Sequence, residues 1–259
     1  MLIVLPPSEG KTVPSRGRPL DLGSLGFPGL TPAREAVLDA LVALCGGDSD
    51  RAAATLGLGG TQADLVARNA GLRTAPTARA DRVYSGVLYD ALDVATLTVA
   101  AKRRAGSRLA VTSSLFGLVR PADRIPAYRL SGDATLPGPG PVAGVWRGAL
   151  GPTVAEALGG GLLVDLRSTM YAAFWRPPAD LAPRVATVRV LHEVNGKRQV
   201  VSHFNKATKG RIVRAVLEDG GLPRTPGELA DQLGDLGWKV EVGDCGRKGT
   251  QLDVVVSEV

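Results

Sequence analysis

Four consecutive apolar residues, Leu2–Leu5, open the chain and stop at Pro6-Pro7, the pattern of a short buried strand ended by proline. Leu109–Thr112 and Leu162–Leu166 read as two more buried strands, the second leading into Ser168. Helical spacing appears at Ala36, Val37, Leu41 and Leu44, with Thr31 as a cap and Pro32 at the first helical position. Ala52–Leu56 and Gln62–Ala70 predict two short helices joined by Gly57-Leu58-Gly59-Gly60. Val87–Leu97 reads as helical in part, and Pro152–Leu158, Lys209–Leu217 and Pro226–Leu236 as further helices. Val185–Leu191 and Gln199–Phe204 predict a hairpin turning at Asn195-Gly196, and Trp238–Val242 with Leu252–Val256 a closing strand pair. Pro14–Pro32 is a turn-rich loop, and Pro137–Pro141 (PGPGP) a hinge-like turn and the best internal boundary candidate. The fold class predicted is α/β (mixed α+β): a single compact domain over residues 1–259 with a central mixed sheet and surrounding helices.

Composition narrows this little. Hydrophobic residues make up 44% of the 259 positions and aromatics 4%, while 33 glycines and 18 prolines predict many rigid turns. The net charge of +6 and a pI near 9.6 suit a polyanionic partner without establishing one. Cys45 and Cys245 lie far apart and form neither a CxxC pair nor a metal-type cluster with His192 and His203, so no metal and no cofactor are expected. Whether either cysteine has a redox role stays open. Low cysteine use, no signal-peptide pattern and no membrane-length apolar run predict a cytoplasmic protein.

Candidate chemistry gathers in loops. Ser113–Leu130 (SSLFGLVRPADRIPAYRL) begins as a buried strand or turn, then becomes a proline-stiffened loop carrying Arg120, Asp123, Arg124, Tyr128 and Arg129. Such guanidinium groups suit bidentate capture of phosphate or carboxylate; an internal ion-pair network is the alternative. Ser8, Glu9 and Lys11 follow the first strand. Gly10-Lys11-Thr12 is similar to the end of a phosphate loop, but Leu5 stands where that motif needs glycine and Val13-Pro14 blocks a following helix. Tyr84 and Tyr89 flank Gly86, and Asp165, Ser168 and Tyr171 follow a buried strand, where they could orient a substrate or move a proton. In His203–Arg211 (HFNKATKGR), Lys206, Lys209 and Arg211 form a basic set, which a helix starting near Thr208 would strengthen. His203 is read there as a structural residue. The Gly57, Gly59, Gly60 and Thr61 turn fits either an ordinary helical corner or a hairpin offering backbone amides to a phosphate.

The Ser113–Leu130 loop resembles the signature of the YaaA family of peroxide-stress proteins. Tyr84–Leu92, Val145–Arg147, Leu163–Tyr171 and Val201–Arg214 agree with the family in the same order, so the resemblance covers most of the chain. It implies a DNA-binding protein of the oxidative-stress response that protects DNA or aids its repair, reading DNA structure more than sequence, with a helix-hairpin-helix element. The family's N-L-A-S-x-E-Y stretch is altered here: Asp165, Arg167 and Met170 replace its asparagine, alanine and glutamate. Phosphate-binding candidates are Gly57, Gly59, Gly60, Thr61, Arg120, Arg129, Lys206, Lys209 and Arg211. The alternative is an enzyme on a nucleotide-like or other small anionic substrate, with Lys11, Asp165, Ser168 and Lys206 as catalytic candidates. Ser8, Tyr84, Asp123, Tyr128 and Tyr171 would line its pocket.

Overall fold

The computed structural model describes residues 1–59, 62–194 and 197–257. Gly60, Thr61, the Asn195-Gly196 turn and the His203 side chain, all singled out above, lie outside what is described. In chain order the elements are β1 (Leu2–Leu5), α1 (Thr31–Gly46), α2 (Ser49–Thr55), α3 (Ala63–Ala70), β2 (Ala78–Arg79), α4 (Ala80–Val83), α5 (Val87–Leu92) and α6 (Val99–Arg108). There follow β3 (Leu109–Ser113), β4 (Gly117–Val119), β5 (Arg124–Ile125), β6 (Thr135–Leu136), β7 (Gly140–Pro141), α7 (Val142–Leu158), β8 (Leu163–Asp165) and α8 (Thr169–Ala172). The remainder is β9 (Val185–Val194), β10 (Lys197–Gln199), α9 (Ser202–Asp219), α10 (Pro226–Asp235), β11 (Lys239–Gly246) and β12 (Gly249–Val256).

One mixed sheet organises this α/β fold, in the order β11-β12-β9-β8-β1-β3-β4, with β10 added beside β9. The five inner strands from β12 to β3 run parallel; β11, β10 and β4 are antiparallel to their neighbours. Buried parallel strands need apolar residues on both faces, which is why β1, β3 and β8 are unbroken buried runs in the sequence. From β1 the chain moves to β3 on one side, and from β8 to β9 on the other. The boundary between β1 and β8 is therefore the switch point of the sheet, where loops leaving adjacent strand ends diverge and leave a crevice.

Several elements differ from the sequence reading. The helix expected from Pro152 starts ten residues earlier, as α7, and holds Pro152 inside it. Proline favours a first helical turn, but the buried Trp146, Leu150, Val154 and Leu158 keep this helix packed through it. The expected strand Gln199–Phe204 is only β10, because Ser202 already begins α9. PGPGP forms the turn of the small β6–β7 ribbon, with Gly138 and Gly140 at φ +87° and +81°, and runs directly into α7.

Two glycines show how tightly the layers meet. Gly117 has φ +71°, and a Cβ there would lie 2.7 Å from the Trp146 ring. Gly210, on α9, lets that helix approach α5 so closely that a Cβ would stand 2.3 Å from the Leu88 carbonyl oxygen. Among the described residues no helix is long and apolar enough to cross a membrane.

Candidate functional site

A cleft of about 940 Å³ opens at the carboxyl ends of β1 and β8, the switch point of the sheet. The loop after β1 supplies Ser8, Glu9 and Lys11; the loop after β8 supplies Arg167 and Ser168, and α8 Tyr171. Helix α9 adds Asn205, Lys206 and Lys209, and the turn between β11 and β12 adds Lys248. The lining holds eight basic side chains, Lys11, Arg129, Arg167, Arg176, Arg189, Lys206, Lys209 and Lys248, against two acidic ones, Glu9 and Asp165.

Lys11 sits on the floor, held by a backbone bridge to Tyr84 and by donation from Thr12 N to Val83 O at 2.9 Å. Its Nζ donates to the Ser8 carbonyl at 2.8 Å and lies 4.3 Å from the Tyr128 ring centroid and 5.6 Å from that of Tyr84. Burial, helped by the nearby positive Arg129 and opposed by Glu9, pulls its pKa down to about 7. Beneath it the Tyr84 and Tyr128 hydroxyls are 3.0 Å apart, and Tyr128 meets Ser113 Oγ at 2.7 Å. Burial holds both phenols above the usual tyrosine range, so they stay uncharged. Ser8 Oγ donates to Gly10 O at 2.6 Å and accepts from Ser85 N at 3.2 Å, which shapes the loop around Lys11.

Asp165 ends β8 and grips Arg167 through two side-chain bonds of 2.9 and 2.7 Å. Both side chains are nearly inaccessible, at 9% and 4%. Arg167 also donates to the carbonyls of Tyr171 and Trp175 at 3.2 and 3.0 Å, so this pair shapes the loop after β8. Two of the three residues at which this chain was read as departing from the resembled motif, Asp165 and Arg167, are thus partners of each other. Lys209 Nζ donates to Leu166 O at 3.0 Å; burial lowers its pKa, and the Asp165 charge partly offsets that. Lys206, one helical turn earlier on α9, is exposed.

Arg129 is fixed through its backbone, donating to Asn69 Oδ1 at 2.9 Å and accepting from Asn69 Nδ2 at 2.7 Å. Its guanidinium faces Glu9 at 3.8 Å, while its Nε is buried with no hydrogen-bond partner among the described residues. Asn205 Oδ1 is buried and unpartnered in the same sense. Buried polar groups ordinarily have partners, so these two atoms behind the cleft wall are exceptions.

The sequence-derived candidates divide clearly. Ser8, Lys11, Arg129, Asp165, Ser168, Tyr171, Lys206 and Lys209 meet in the cleft. Tyr84 and Tyr128 lie under its floor. Asp123 lies elsewhere, accepting from Gly26 N and Arg120 N at 3.0 and 2.8 Å. Arg120 donates to Ser107 O and Leu109 O at 2.9 and 3.0 Å and covers the Phe27 ring. Arg211 is exposed on α9 and does not line the cleft. Gly57 and Gly59 belong to the turn between α2 and α3; Gly57 needs its positive φ of +63°, and nothing lies within 4 Å of a Cβ at Gly59. Tyr89, Arg176, Arg189, Asn205 and Lys248 line the cleft without having been singled out as site residues. Of these, Asn205 had a signal inside the HFNKATKGR motif and Tyr89 in the tyrosine pair flanking Gly86.

Fold and site together define a mixed-sheet α/β protein with a basic cleft at its switch point. The chain belongs to the family described as peroxide stress protein YaaA, whose model matches residues 1–238. It is 53% identical over 261 residues to a UPF0246 protein of Streptomyces coelicolor, covering 100% of both chains. A UPF0246 protein of Corynebacterium efficiens is 44% identical over 98% of this chain and 100% of its own. One from Bacteroides thetaiotaomicron is 31% identical over 56% of this chain and 59% of its own.

Proposed function

We propose that this peroxide stress protein binds DNA through the basic cleft and so protects oxidatively damaged DNA or aids its repair. The observation that carries this reading is the concentration of basic side chains in a single cleft: beyond Arg167, paired with Asp165, and Arg189, paired with Asp253, its lining holds Arg129, Arg176, Lys206, Lys209 and Lys248. Phosphodiester groups are the polyanion such a lining attracts, and Arg and Lys contacts to them fix register without reading sequence. The volume of about 940 Å³ suits a nucleotide displaced from its stack rather than an intact duplex. In this reading the described glycines of the turn between α2 and α3, Gly57 and Gly59, are a second phosphate contact outside the cleft lining.

The experiment is lysine acetylation of the full chain with and without bubbled duplex DNA, read by peptide mass spectrometry. Protection of Lys206 and Lys248 supports the reading; equal modification in both samples rejects it. A second reading, an enzyme acting on a small anionic substrate, is favoured by Lys11, whose pKa burial and Arg129 pull down to about 7.

A further inference from the structure

We propose that Lys11 captures carbonyls: its Nζ forms an iminium with the aldehyde of a phosphate-bearing sugar held in the cleft, either the open-chain deoxyribose of an abasic site in DNA or a free aldose phosphate. The proposal rests on the reading of the cleft as a phosphate-binding site and names the chemistry that site would add.

Its basis is the surroundings of one nitrogen. Lys11 Nζ has no carboxylate within hydrogen-bonding distance among the described residues; its acceptors are the carbonyls of Ser8 at 2.8 Å and Glu9 at 3.5 Å. A neutral amine has two N–H groups and one lone pair, so these two carbonyls can be served with the lone pair left over. The charged and titratable groups facing it are Arg129 and Glu9 from the cleft wall and the rings of Tyr84 and Tyr128 beneath. The phenols are uncharged, and of the two charged groups Arg129 outweighs Glu9, so the surroundings favour the neutral amine. A desolvated lysine beside another cation is the usual arrangement of an amine nucleophile. Arg129, Lys206 and Lys209 line the same cleft and are suited to hold the sugar's phosphate.

The step balances without an oxidant or reductant. The lone pair attacks the aldehyde carbon, and one N–H proton passes to the carbonyl oxygen. The resulting carbinolamine takes one proton from solvent and loses water, which leaves a C=N bond on a nitrogen that keeps one hydrogen.

The test treats the full chain with sodium borohydride in the presence of either duplex DNA carrying an abasic site or glyceraldehyde 3-phosphate, and then maps the adduct by mass spectrometry. Binding of a duplex with a non-reactive tetrahydrofuran site is measured alongside. The expected result is reduced adduct on Lys11 at least tenfold above any other lysine, lost in both K11R and K11M. Labelling by DNA alone identifies the abasic site as the source, and labelling by the small phosphate alone identifies the free sugar. No adduct on Lys11 with either probe, adduct spread over exposed lysines such as Lys206, or the same adduct yield in K11R and K11M overturns the proposal. If the tetrahydrofuran duplex binds but no adduct forms, carbonyl capture fails and DNA binding stands. If that duplex does not bind and the small phosphate labels Lys11, capture stands and DNA binding fails.

Discussion

The ammonium nitrogen of Lys11 lies 4.3 Å from the centre of the Tyr128 ring, and that ring's hydroxyl is bonded at 2.7 Å to Ser113 at the end of β3. The floor of the cleft is therefore continuous with the core of the sheet, and the charge state of Lys11 bears on stability.

Burial lowers the Lys11 pKa from 10.5 to about 7. Between those values the unfolded chain holds a proton at this position that the folded chain does not, so stability from this group rises with pH across the window. Below pH 7 both states are protonated and the full cost of burying the charge applies. K11M removes that cost. Thermal denaturation of K11M and wild type should show a gain for the variant that is larger at pH 6 than at pH 10. An equal shift at both values would mean the ammonium is well solvated.

Arg34 is wholly buried on α1 and donates to the carbonyls of Phe116, Leu118 and Gly26 at 3.0, 2.8 and 2.7 Å. It pins the β3–β4 turn to the helix layer with no carboxylate bonded to it among the described residues. R34M leaves three carbonyls without these partners, at about 1 kcal/mol each, and should lower unfolding stability by about 3 kcal/mol. Urea denaturation measures this; a loss under 1 kcal/mol would show that the turn finds other donors.

Much of this architecture was legible in the sequence because buried parallel strands advertise themselves as apolar runs. Leu2–Leu5, Leu109–Thr112 and Leu162–Leu166 were found within two residues. Trp238–Val242 and Leu252–Val256 do pair, as β11 and β12, though both strands extend beyond those limits. Strand order was not legible, since the parallel pairing of β1 with β8 joins residues about 160 positions apart. Local chemistry also misled at Pro152, where packing of Trp146 and Leu150 outweighed the proline signal. The cleft was half legible: polar residues after apolar runs marked Ser8, Lys11, Asp165 and Ser168. Asp123 and Arg120 looked alike in kind, yet they bind each other's loop, the Gly26 backbone and the junction of α6 with β3, and so face away from the cleft. Arg34 gave no signal at all, being one arginine on an otherwise ordinary helix.

Gly210 sets the distance between α9 and α5. In G210A the new methyl would meet the Leu88 carbonyl oxygen at 2.3 Å and Ala91 Cβ at 2.9 Å, both rigid neighbours, so the helices must separate. Overpacking of this kind costs about 1–3 kcal/mol, partly offset by the better helix propensity of alanine. Because α9 carries Lys206 and Lys209, G210A should lose DNA affinity as well as stability. Calorimetry with a binding titration checks both; full affinity in a destabilised variant would separate α9 from the contact surface.

The most direct test of DNA binding through the cleft is the affinity for bubbled duplex DNA across a salt series, in wild type, K206A and G59A. Each phosphate contact contributes about 0.9 to the slope of log affinity against log salt. The account predicts steep salt dependence in wild type, a slope reduced by about one in K206A, and a smaller loss of affinity in G59A, where the added methyl meets no neighbour within 4 Å. Weak binding that neither salt nor K206A changes would contradict it.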